Sequence, residues 1–253
     1  MLIAVVTTSW PKEPGDPAGH FVRAEAGALE RLGHEVVVVA PPAGGAFGWP
    51  GVAARMRERP LRVVGATWWV SAARQRLARM NIDRVIAHWA VPCGWPIGLG
   101  SHDAALEVVS HGGDVRLLAS LPIAARHHVV RAIASGAERW RFVSEPLMGT
   151  LLAGLDRETR AGVERIATVR AAAIEMPNVS DAVTLRRRAL GDLRVAVSVG
   201  RLVASKGIDR AIEHVACSRE WDRLVIVGDG PERRRLERLA RIRNVDAHFV
   251  GAI

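Results

Sequence analysis

The stretch SVGRLVASKGID, Ser198 to Asp209, carries an arginine and a lysine, Arg201 and Lys206, between a valine-rich run and a helical pattern. Lysine is rare in this chain: of 35 basic residues only Lys12 and Lys206 are lysines. A plain strand-to-helix connection needs neither cation. A multiply charged anion uses both, because arginine offers phosphate oxygens a planar fork and lysine a compact point charge. RVAVSVG ends where open α/β sheets bind ligands, at the carboxyl end of a parallel strand. Gly200 removes bulk at that edge, and a helix opening near Lys206 and Gly207 brings free N–H groups and a positive dipole end to the same place. Two cations and a helix tip suit a diphosphate bearing about two negative charges. The plainer alternative has Arg201 capping a carbonyl and Lys206 solvated at a helix start.

The next unit repeats this logic. LVIVGDGPERRRLERLA is again strand, glycine turn and helix, with Gly228 and Gly230 in the turn. Arg233 and Glu237, four residues apart, read as a solvated helix face. In the first half, His111 follows the buried run ALEVVS and precedes two glycines, a better place for a ligand contact than for a core histidine. His88 and Trp89 in AHWAVPCGWP fall at the cleft-facing end of a strand, with core packing the stronger reading for Trp89. Asp114 reads as an acceptor contact or, better, a helix N-cap. There is no Asp-x-Asp pair, so no metal site is expected, and Cys93 and Cys217 show no disulfide or zinc pattern.

The elements that must position these residues alternate regularly. LIAVVT, EVVVVAPP, LRVVGA, DRVIAHW, ALEVVS and RWRFVS read as strands, separated by helices or loops. The first helix is expected from about His20 to Leu32, stopped by Gly33. Continuous Val/Ile runs imply strands covered on both faces, and the β-α-β succession an open parallel sheet with right-handed crossovers. AAIEMPNVSD closes the first series with a strand and turn, and the charged stretch AVTLRRRALGD leads into the second. The expected boundary near Asp181 gives domains 1–181 and 182–253, the second with only three strands. A net charge of +9 fits an anionic metabolite, nucleic acid or anionic lipid and does not choose among them. No charged leader precedes the first strand, and no apolar run approaches the roughly 20 residues that cross a bilayer. The expectation is a soluble cytoplasmic protein, with contact at the inner membrane face left open.

VGRLVASKGID, LVIVGDGPERRRLERLA and HFVGAI together resemble the donor-binding half of GT-B glycosyltransferases of family 4. TTSWPKEPGDPAGHFVRAEAGALERLGHEVVVVAP and VVSHGGDVRLL resemble the first half of the same family. The resemblance implies an α/β, GT-B-like fold: an N-terminal Rossmann-like parallel-sheet domain and an incomplete second Rossmann-like domain. It implies metal-independent, retaining transfer from a nucleotide-diphosphate sugar to a glycan or lipid-linked acceptor, with no cofactor. Arg201 and Lys206 would hold the diphosphate. His111 would lie over the transferred sugar, Gly19 would let backbone approach the donor, and Ala252 and Ile253 would flank the base. Val179 stands where the family's PN-G-VD turn has glycine, which leaves Asn178 structural. The family's paired glutamates would lie beyond Ile253, so this chain is expected to be impaired in turnover. A GT-B nucleotide-sugar epimerase is the nearest rival. A nicotinamide dehydrogenase would need Gly-x-Gly-x-x-Gly after the first strand, where TTSWPKEPG stands. Arginines spread among glutamates argue against nucleic-acid binding.

Overall fold

A computed structural model describes residues 1–11, 16, 18–43, 45–47, 55, 58–100, 102–172, 180–218 and 220–252. The chain divides into two units, Met1–Met176 and Pro177–Ile253, each with a core of its own. In the first, β1 (Leu2–Val6), β2 (Glu35–Val39), β3 (Arg84–His88), β4 (Ala105–Ser110), β5 (Arg139–Phe142) and β6 (Ala167–Val169) form one sheet. Their order is β2-β1-β3-β4-β5-β6, every pair parallel.

Alternating side chains of β1 feed two apolar layers. Ile3 and Val5 join Val22 and Ala26 of α1 (His20–Arg31), while Ala4 and Val6 join Trp69, Ala73 and Leu77 of α2 (Arg62–Ala78). The chain steps from β1 out to β2 and then back past β1 to β3, so the carboxyl ends of β1 and β3 flank the point where strand order reverses. The other helices of this unit are α3 (Gly113–Ser120), α4 (Ile123–Gly136), α5 (Glu145–Leu152) and α6 (Arg157–Ile166). An irregularly wound segment, Ala90–Gly98, follows β3.

Two expectations need correction here. LRVVGA, expected as a strand, runs into α2, because the buried positions Ala66, Trp69, Ala73 and Leu77 keep helical spacing well past the short Val-Val run. The last strand lies upstream of its expected place, at Ala167–Val169. AAIEMPNVSD itself falls mostly on 173–179, outside the described residues, as do Asn178 and Val179.

The second unit opens with α7 (Ser180–Leu190), where only a charged connection was expected. Then come β7 (Val195–Val199), α8 (Ile208–Cys217), β8 (Arg223–Val227), α9 (Arg233–Ile242) and β9 (Ala247–Gly251). The sheet order is β7-β8-β9, all parallel. Both steps go the same way, so right-handed crossovers put α8 and α9 on one face. There Leu202, Ile212, Leu224, Ile226 and Leu236 form the core. On the opposite face β7 is open, with Val197 61% and Val199 73% exposed, while Val225 of β8 is buried at 6%. Coverage on both faces, expected from the valine run, holds in the first sheet and fails at β7.

Candidate functional site

The expected residues fall into two groups, one at the carboxyl edge of each sheet. In the second unit, backbone hydrogen bonds stitch the strand ends together. Gly200 N donates to Val227 O at 2.9 Å, Leu202 N to Asp229 O at 3.0 Å, and Gly228 N to Gly251 O at 2.7 Å. The backbones approach so closely that side chains are excluded. A Cβ on Gly228 (φ 135°) would stand 2.0 Å from Gly200 O, and one on Gly230 would stand 2.5 Å from Leu202 O. Lys206 folds back over this platform: its Cδ lies 4.0 Å from where a Gly200 Cβ would be. It ends a short 3-10 turn, Ala204–Lys206, and forms no ion pair with the described residues.

Gly207, left-handed at φ 63°, then opens α8 with no side-chain cap. The positive end of α8 therefore starts beside Lys206, although the Arg210 amide of its first turn is already taken, donating to Gly207 O and to Asp209 Oδ1, each at 3.0 Å. Asp209, also in that first turn, is turned to Arg235 at 3.1 Å, and that hydrogen bond holds its carboxyl below the usual range. Arg201 follows Gly200 directly and is half-buried; Ala252 is exposed just past β9; Ile253 lies outside the described residues. Arg233 does pair with Glu237, at 2.9 Å, but it is more than a solvated face. It also reaches Asp229 at 3.1 Å and Phe249 O at 3.2 Å, tying α9 to the ends of β8 and β9.

In the first unit, Gly19 abuts the loop after β1. A Cβ there would stand 2.1 Å from Ser9 O, and its φ of 70° suits glycine. Gly19 O accepts from Val22 N and Arg23 N, which opens α1. His88 ends β3 and His111 follows β4; the register sets Val109 beside His88. Nδ1 of His88 lies 2.9 Å from Nε2 of His111. Phe21 and Trp89 close around His111, with ring centroids at 4.6 and 5.1 Å. Trp89 leaves the strand at φ 77° and is half-buried against α1, in keeping with its packing role.

Asp114 is 3% exposed, and its carboxylate is taken up by backbone. It accepts from Ala90 N at 2.8 Å, Gly112 N at 3.0 Å and His111 N at 3.2 Å. It is therefore a clamp on the loops after β3 and β4, and it lies inside the first turn of α3 rather than at the N-cap expected from sequence, which is Gly112. His88 also needs correction: at 0% exposure it cannot itself meet an acceptor, and it reaches outward only through His111.

Sequence reasoning missed a buried charge cluster on the same face. Arg141 of β5 meets Glu25 of α1, and its Nε lies 2.9 Å from Glu107 of β4. Register places Val109 between His88 and Arg141. Burial, with smaller contributions from His111 and Arg141, pushes His88 well below the usual imidazole range. Burial also lowers His111 to about 4, against an opposing effect of Asp114. Both rings are neutral at physiological pH.

Residues 186–252 match the family described as glycosyl transferases group 1. The chain is 30% identical to alpha-D-kanosaminyltransferase of Streptomyces kanamyceticus, over 95% of this chain and 63% of that protein. It thus spans less than two thirds of that relative's length. Its fold is similar to that of HepE from Anabaena, solved in complex with UDP, with a TM-score of 0.66 at 14% identity over 100% of this chain and 70% of that one. It is also similar to the lipopolysaccharide outer core galactosyltransferase WaaB in its apo form, with a TM-score of 0.58 at 13% identity over 100% and 68%. The α/β fold, with one six-stranded and one three-stranded parallel sheet, is that of GT-B glycosyltransferases. Among the described residues no helix is long and apolar enough to cross a membrane.

Proposed function

We propose that this chain is the nucleotide-sugar-handling part of a glycosyltransferase, and that Lys206, Arg201 and the start of α8 hold the donor diphosphate. The observation that carries the reading is the Lys206 stem lying across Gly200 beside an uncapped helix start. This lies inside the segment that matches the glycosyltransferase family. Charge grows on a diphosphate as the glycosidic bond breaks. Cations and a helix end already in place stabilise that charge more in the transition state than in the ground state. In this reading no metal takes part, the sugar is transferred with retention, and His111 faces the transferred sugar. A pKa of about 4 makes His111 a poor general base at neutral pH, so its role is to position a hydroxyl or phosphate oxygen.

UDP is the natural first probe, since HepE was solved with it. Calorimetry should show UDP and UDP-glucose binding to the chain. Lys206→Ala should weaken both by roughly tenfold to a hundredfold, as the loss of a charge-assisted hydrogen bond does. The affinity should be the same in excess chelator as in magnesium. Nucleotide affinity unchanged by Lys206→Ala would refute the diphosphate assignment, and affinity lost in chelator would show a cation sharing the role given to Lys206.

A further inference from the structure

The contact between His88 and His111 has a restrictive geometry. The two rings are 13° from parallel with centroids 5.2 Å apart, while the nitrogens are 2.9 Å apart. That centroid separation is about the greatest this nitrogen–nitrogen distance allows. The contact therefore runs through both nitrogens along the in-plane direction of N–H and lone pair, edge to edge. Two neutral imidazoles joined in this way share one proton, and two arrangements are open to them. Either His88 donates from Nδ1 and leaves its own Nε2 as a bare lone pair, or His111 donates from Nε2 and leaves His88 with an N–H at Nε2.

The surroundings of His88 decide between them. Its Nε2 is buried without a hydrogen-bond partner. A buried N–H left unpaired is the costlier orphan. Arg141 of β5, held by Glu25 of α1 and Glu107 of β4, is the cation whose charge acts on both rings. Asp114 of α3, the remaining charged neighbour, is occupied by three backbone amides. A bare Nε2 on His88 puts the proton on its Nδ1, aimed at Nε2 of His111. His111 must then carry its own proton on Nδ1, which makes no hydrogen bond to the described residues.

We propose that His88 is a positioning residue that locks the tautomer of His111, so that His111 presents an Nδ1–H donor to an oxygen acceptor of the bound donor sugar, a hydroxyl or a phosphate oxygen. The part concerning the sugar rests on the function proposed above; the tautomer lock does not. Register makes the device possible, because only parallel pairing of β3 with β4 brings the end of one strand against the residue that follows the other.

Long-range proton–nitrogen correlation spectra of the full chain, with its histidines labelled with nitrogen-15, read the tautomer directly. His111→Gln assigns the relevant signals. Near pH 7 the wild-type His111 should be protonated at Nδ1 with Nε2 accepting. His88→Asn, whose amide N–H can donate to the same lone pair, should keep that state. His88→Leu should lose it and let Nε2–H, the form free histidine favours, appear. A wild-type His111 protonated at Nε2 would overturn the proposal, as would a folded His88→Leu chain in which His111 remains wholly Nδ1–H. Should His88→Leu fail to fold, the wild-type spectrum and His88→Asn still decide. UDP-glucose titrated into the same samples tests the proposed function separately: absence of binding with the Nδ1–H tautomer intact would sink that reading and leave the lock standing.

Discussion

His111 links local geometry to pH in the direction opposite to a salt-bridged histidine. Its pKa is about 4 in the folded protein, against about 6.5 for an unperturbed histidine. Between those values the unfolded chain binds more protons than the folded one, so stability rises with pH through the window. It is lost as pH falls from about 6.5 to about 4. His88, whose pKa burial also lowers, adds to the loss with the same sign. For His111 alone the full effect is about 3 kcal/mol, if its unfolded value is the ordinary one. Urea unfolding of the first unit, followed between pH 4 and 7, should show this decline, and His111→Gln should flatten it. A stability that is level over that range, or that rises as pH falls, would contradict the burial of a neutral histidine pair.

At the scale of the element, legibility depended on how far a pattern extends along the chain. β1, β3, β4 and β8 were readable because each is a β-branched run closed by turn residues. The start of α2 was not, since Val63 and Val64 imitate a strand until Ala66, Trp69, Ala73 and Leu77 reveal the helical period. β6 is three residues long, too short for any periodicity, and it exists because β5 offers it an edge. The site divides in the same way. The Arg201–Lys206 segment is local, so the role proposed for it can be read from residue types alone. The His88–His111 contact spans 23 residues and the Arg141–Glu25 contact 116, and both depend on strand register that no single segment contains.

In the second sheet, apolar residues have different consequences because β7 is covered on one face only. Val199→Thr, at a position 73% exposed, should change stability by less than about 0.5 kcal/mol. Leu224→Ala in β8, at 1% exposure among the α8 and α9 side chains, should cost about 2–5 kcal/mol. Chemical denaturation of both variants checks the contrast, and comparable losses would mean that the β7 face is buried in solution.

For the molecule as a whole, the open question is what a net charge of +9 is for. Spread as an unpaired basic stripe, it would mark a nucleic-acid surface. Part of the second unit's charge is instead paired: Arg194 with Asp222 at 3.1 Å, Arg223 with Asp246 at 2.8 Å, Arg235 with Glu232 at 2.6 Å and Arg243 with Glu213 at 2.9 Å. Exposed pairs of this kind add little stability. What each pair does is cancel its own two charges in the long-range field. The salt dependence of binding should report this. A protein contacting 6–10 nucleic-acid phosphates loses roughly 10³–10⁵ in affinity between 50 and 200 mM salt. A diphosphate held by Lys206, Arg201 and a helix end should lose less than roughly tenfold over the same range, since it displaces few counterions. UDP affinity measured at both salt concentrations, beside a nonspecific DNA duplex, tests the point. Tight duplex binding with a steep salt slope and no UDP binding would move the charge, and with it the function, to a nucleic-acid partner.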